Sequence, residues 1–304
     1  MSEHIVHTAV LEDSFLIGLK LSSVPASFCD VMQDYEKIAQ LGCITVSGDQ
    51  FSFKLFEEYK PLWKNRDDIL KAKLAFVLGW ISHRACDRQM KPIWREPGSK
   101  GRGSDVDPNL SPTECSVYHE GVMYNKYYSD VSKFRYAIFP DEMSSLPGIG
   151  QIKLDIATSF VQQSYGASYM NIQTLPEEAP KQQYFEELCM RAQKFYVDPT
   201  RYTRSAGSPL PDLTDEYVTS INWFSEDDSI VRLAQDLRAG KNPSPAEADA
   251  AFAEEPKSHY GKALKLSIGY ILTAGEYFER DDMTMDELKE RLDIGKKGPG
   301  GLAV

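Results

Sequence analysis

Histidine is scarce in this chain, with five in all, and four of them (His4, His7, His83 and His119) fall in the first 120 residues. Asp49 and Asp87 lie among them. Imidazole and carboxylate donors together suit zinc or a similar divalent ion, and a site with an open position can activate water for hydrolysis. A carboxylate can also bridge two ions. The same residues allow a plainer reading, in which His83 donates to Asp87 or to a backbone carbonyl as a satisfied pair beside the core.

The element that must position them is the stretch Ile69 to Lys91. Leu74, Phe76, Val77, Leu78, Trp80 and Ile81 leave its first half without a polar face, and a helix apolar on every side is buried. The apolar run is about a dozen residues, too short to span a bilayer. His83 and Asp87 follow it four residues apart, which places both on one face of a helix over 69–90. Pro92 fits the end of that helix. Upstream, 4–20 reads as a mostly apolar helix carrying His4 and His7. Residues 26–41 have apolar spacing of helical period, and Gly42 and Gly48 then break any helix and deliver Asp49 on a turn.

Downstream, residues 93–112 are loop-like, and Ser111-Pro112-Thr113-Glu114 opens a helix over about 112–132 that carries Glu114, Cys115, His119 and Glu120. Further helices are expected at 150–169, 180–197, 213–239, 257–279 and 283–293. Residues 240–256 read as a solvated connection with room for one short helix. No strand run stands out. The expectation is an all-α fold, one unit over 1–294 around the central helix, with a flexible tail at 295–304.

Composition supplies a sizeable core: the hydrophobic share is 42% and the aromatic share 11%. A formal net charge of −11 argues against a general nucleic-acid or anionic-membrane surface. The five cysteines form no CxxC pair, which suits reduced thiols in a cytosol-like compartment. No recognisable signal peptide or transmembrane run is present, so a cytoplasmic protein is expected. Arg84, Arg88, Lys91, Arg95, Lys100 and Arg102 concentrate cations just after the His-Asp pair. They are either an anion-steering pocket or a solvated flexible loop. Tyr118, Tyr124, Tyr127 and Tyr128 could line a pocket, although such rings more often pack. His259 reads as a helix-start residue, and Asp281-Asp282 with Thr284, Asp286 and Glu287 as an ordinary helix start.

The segment FVLGWISHRACD resembles the apolar-Gly-aromatic-x-x-His-x-x-x-Asp core helix of the zinc-dependent phospholipase C superfamily, which includes single-strand nucleases. The likeness covers about residues 4–130, with an N-terminal histidine helix, the turn LGCITVSGD and a later histidine helix in the family's order. It implies an all-α fold in which these elements gather zinc ions that cleave phosphate esters. It also implies His7 or His4, Asp49, His83 and Asp87 as metal ligands, with Asp87 bridging and Asp49 nearest a general-base role. His119 would correspond to the histidine of the later helix. Two positions depart from the pattern: Lys91-Pro92 stands where a histidine precedes the proline, and Met123 stands where a glutamate follows His119. Either one metal position is lost, or Glu114, Cys115 or Glu120 substitutes, so one or two zinc ions are expected, with iron or manganese as alternatives.

The resulting expectation is a metal-dependent hydrolase acting on a phosphate ester of a small, anionic intracellular substrate, with Arg84 and Lys91 stabilising the developing anion. A metal-dependent lyase, cyclase or oxygenase on the same scaffold and a non-catalytic helical binding protein are the alternatives. Whether the chain forms a homodimer is open at this level.

Overall fold

The computed structural model describes residues 4–43, 49–95 and 219–296, together with 119, 122–123 and 126–127. All regular structure among them is helical. In chain order these are α1 (His4–Gly18), α2 (Ala26–Asp34), α3 (Glu36–Cys43), α4 (Asp49–Tyr59), a 3-10 segment (Lys60–Asn65) and α5 (Asp68–Arg95). After the described part of the middle region come α6 (Ser229–Arg238), α7 (Pro245–Ala253), α8 (His259–Glu279) and α9 (Met285–Arg291). The helices expected at 150–169 and 180–197, most of that at 112–132, and the tail from 297 lie outside the described residues.

The all-α expectation holds, and α5 is its centre. Asp67 starts that helix, its carboxylate accepting from the Leu70 amide at 2.8 Å. Leu74, Ala75, Phe76, Val77, Leu78 and Ile81 are all 0% exposed, so the helix is enclosed on every side. α3 and α8 pack along its flanks, and α1, α2 and α4 complete the enclosure. α1 in turn lies against α8 and α6, so helices from both ends of the chain share one core. No helix among the described residues is long and apolar enough to cross a membrane.

Several boundaries differ from expectation. Pro92 does not end the central helix, which runs on to Arg95. A proline removes one amide donor but does not forbid further helical residues, and here Pro92 and Ile93 both turn into the core. The expected 26–41 helix is two, broken at Tyr35, whose φ of −124° leaves the helical region. Gly42 lies inside α3 rather than ending it, and Asp49 is the first residue of α4 rather than a turn residue.

The described part of the 213–239 expectation, from 219 on, has turns ahead of α6. Asp228 stands before α6 and accepts from the amides of Lys257 and Ser258 and from the Ser258 hydroxyl. Those bonds tie the starts of α6 and α8 together. Ser258 also caps α8 by accepting from the Gly261 amide at 3.0 Å. His259 opens α8 as expected, its Nδ1 donating to the Gln89 carbonyl of α5. Thr284 caps α9 through the Glu287 amide, so the Asp281-Asp282 stretch is the ordinary helix start it resembled.

Candidate metal centre

α1 and α5 bring His7, His83 and Asp87 together from positions 80 residues apart in sequence. Candidate donor atoms of the three all lie within 4.8 Å of one another. The Nε2 of His7 lies 3.2 Å from Asp87 Oδ1, and the Nε2 of His83 lies 3.3 Å from Asp87 Oδ2. The two imidazole rings stack at 4.2 Å with 20° between their planes. One carboxylate therefore presents an oxygen to each of two parallel rings. His7 is 2% and Asp87 8% exposed by side chain, while His83 at 15% is the most open of the three.

The orientation of His83 follows from its other nitrogen. Its Nδ1 lies 2.7 Å from the carbonyl oxygen of Cys43, which can only accept, so Nδ1 is the donor. Its Nε2 then carries either a second proton or a lone pair aimed at Asp87. A lone pair facing a carboxylate at that distance is repulsive without a cation between them. Burial alone would push the Asp87 carboxyl up; His83 first, and then His7, outweigh it and hold that carboxyl well below the usual range.

The three side chains could hold a metal ion. Two histidines and one carboxylate are also a ligand set that leaves positions open for water or substrate. The carbonyl of Cys43 is the outer partner that a metal-bound imidazole ordinarily has.

The other expected site residues sit as follows. His4 is in the first turn of α1, Asp49 begins α4 and Lys91 is in α5; their side chains lie outside the described residues. His119 is fully buried and stacks flat on Trp223, at 4.5 Å and 4°, outside the three-residue group. The Trp223 indole N–H reaches Met90 of α5 at 3.1 Å, which places this stack one turn beyond Asp87. Arg84 and Arg88 are not displayed as an anion-steering pair. They are 4% and 8% exposed, and their guanidinium groups donate to the carbonyls of Asp293 and Lys296 beyond α9. Those bonds fasten the C-terminal segment to the same helix that carries the candidate ligands. Glu114, Cys115 and Glu120 lie outside the described residues.

One buried cluster went unread in the sequence. Glu12 and Asp13, on α1 one to two turns after His7, are both 0% exposed. Arg238 of α6 pairs with both, through Glu12 Oε2 at 2.7 Å and through Asp13 Oδ1. Gln40 donates to Glu12 at 2.9 Å, and the Tyr260 hydroxyl donates to Asp13 at 2.7 Å. The guanidinium lies over the Tyr127 ring, 4.1 Å from its centroid. The signal was present: two acids in the run VLEDSFLIG, within a helix otherwise apolar, must be paired when buried. Arg238 and Tyr260, more than 200 residues away, left no local trace.

No protein-family model matches the chain, and no curated protein or solved structure matches it.

Proposed function

We propose that the chain is a divalent-metal-dependent hydrolase, acting on a phosphate ester of a small anionic substrate. The observation that carries the reading is the convergence of His7, His83 and Asp87, with His83 oriented by the Cys43 carbonyl. His7 and His83 would hold the ion through Nε2, and Asp87 through its carboxylate. When bound, a zinc-class ion supplies Lewis-acid polarisation and a water acidified towards neutrality. The chain contributes a dry surround on the α1 side, since Val6, Val10 and Leu11 are 0% exposed, and admits solvent past His83. The departures at Lys91 and Met123 favour one or two ions, zinc first. Asp49 and Lys91 are the proposed proton-transfer and anion-stabilising groups. Arg84 has a weaker claim, its guanidinium being turned towards Asp293.

The donor set also favours a second reading. Two histidines and one carboxylate with open positions are the ligands of non-haem iron oxygenases, so an iron-dependent oxygenase is the alternative. Hydrolysis of a generic aryl phosphate ester by zinc-loaded protein, abolished by Asp87→Ala, supports the first. Inactivity on esters together with selective retention of iron(II) and oxygen uptake would replace the first with the second.

A further inference from the structure

α3 and α5 approach more closely than side chains on both would allow. A Cβ on Gly42 would stand 2.0 Å from the Phe76 carbonyl oxygen, and one on Gly79 would stand 1.9 Å from the Ala39 carbonyl oxygen and 2.9 Å from the Cys43 amide nitrogen. Each glycine therefore faces the other helix's backbone, and neither conflict can be relieved by turning a side chain. His83 is four residues beyond Gly79, one turn along the same face. Cys43 follows Gly42 and is the last residue of α3. Its carbonyl is thus one of the four at a helix end with no partner in its own helix, at the negative end of the dipole. At this crossing that carbonyl meets His83 Nδ1 at 2.7 Å.

We propose that Gly42 and Gly79 are positioning residues of the metal centre: their contact sets the Cys43 carbonyl on His83 Nδ1 and so aims His83 Nε2 at Asp87. The inference rests on the metal reading above and deepens it. A methyl group at either glycine must push the backbones apart by more than 1 Å to reach ordinary contact of about 3.4 Å or more. The 2.7 Å bond would then be lost. Loss of such an outer partner typically weakens metal affinity about 10–100-fold.

The test uses the full chain, zinc titration by calorimetry or chelator competition, and nitrogen NMR of the histidine rings. Gly79→Ala and Gly42→Ala are compared with Gly269→Ala, where an added Cβ meets nothing within 4 Å. The expected result is a loss of about 10–100-fold in zinc affinity for the first two, none for the third, and disappearance of the hydrogen-bonded Nδ1 proton signal of His83. Folded Gly79→Ala protein that binds zinc within about twofold of wild type would overturn the proposal. If both glycine variants fail to fold, the wild-type ring spectrum decides: a proton on His83 Nδ1 in a strong hydrogen bond supports it, and an unprotonated Nδ1 overturns it. Absence of zinc binding by the wild type would overturn the metal reading itself. The ring spectrum, recorded without metal, tells that failure apart from a failure of the positioning.

Discussion

Replacing Arg238 with methionine keeps most of the volume of the side chain and removes the cation that pairs with both Glu12 and Asp13. Both carboxylates are 0% exposed, so neither regains water when its partner leaves. Removing one member of a buried ion pair costs about 3–5 kcal/mol, because a charge is left without compensation. Here one guanidinium serves two carboxylates, which pushes the cost up. Gln40 and Tyr260 keep donating to one oxygen of each, which holds it down. The net expectation is a loss of about 4 kcal/mol, a large part of a domain stability of about 5–15 kcal/mol. Urea unfolding followed by circular dichroism measures it as a shift in midpoint at unchanged slope. Adding Glu12→Gln and Asp13→Asn to Arg238→Met should restore much of the loss, since the stranded charges go with it. A loss below about 1 kcal/mol, the size of a surface pair, would refute the reasoning and show that water reaches the cluster.

Burial first, then the Asp13 charge, raises Tyr127 and Tyr260 well above the ordinary tyrosine value. Their contribution to stability is fully present below about pH 10, the unfolded value, and is lost as pH rises towards their folded values. An alkaline titration read by tyrosinate absorbance should show them ionising only as the chain unfolds; ionisation of all 16 tyrosines in still-folded protein would contradict this. Ser258→Ala removes both the cap on α8 and the hydroxyl donor to Asp228, leaving the two amide donors in place. It should cost about 1–2 kcal/mol, read as a lower melting temperature, and an unchanged melt would show that the tie between α6 and α8 is not strained by its loss.

What the sequence made legible followed from local rules. The burial of α5 was readable from Leu74 to Ile81, because an apolar run of helical length admits few other fates. The i, i+4 spacing of His83 and Asp87 placed them on one face without any knowledge of the fold. That His7 joins them depends on how α1 leans on α5, which no spacing encodes. The Cys43 carbonyl was invisible for a different reason: backbone groups carry no residue identity, and only the crossing at Gly42 and Gly79 brings that one to His83. Arg84 and Arg88 read as part of an anion-steering pocket or a solvated loop because their partners are carbonyls beyond α9, some 200 residues on. Pro92 misplaced the end of α5 because a proline's local penalty was outweighed by burial of Pro92 and Ile93.

The central claim is that His7, His83 and Asp87 hold a metal ion. It is tested most directly by elemental analysis of purified protein after equilibration with zinc, manganese or iron(II) and removal of loosely bound ion. The account predicts at least about one equivalent per chain in the wild type, as a three-ligand site requires. It predicts loss of that ion in His7→Ala, His83→Ala and Asp87→Ala, and its retention in His119→Ala, whose ring is stacked on Trp223 instead. A wild-type protein that stays metal-free with every ion offered, or one whose metal survives Asp87→Ala, would contradict it.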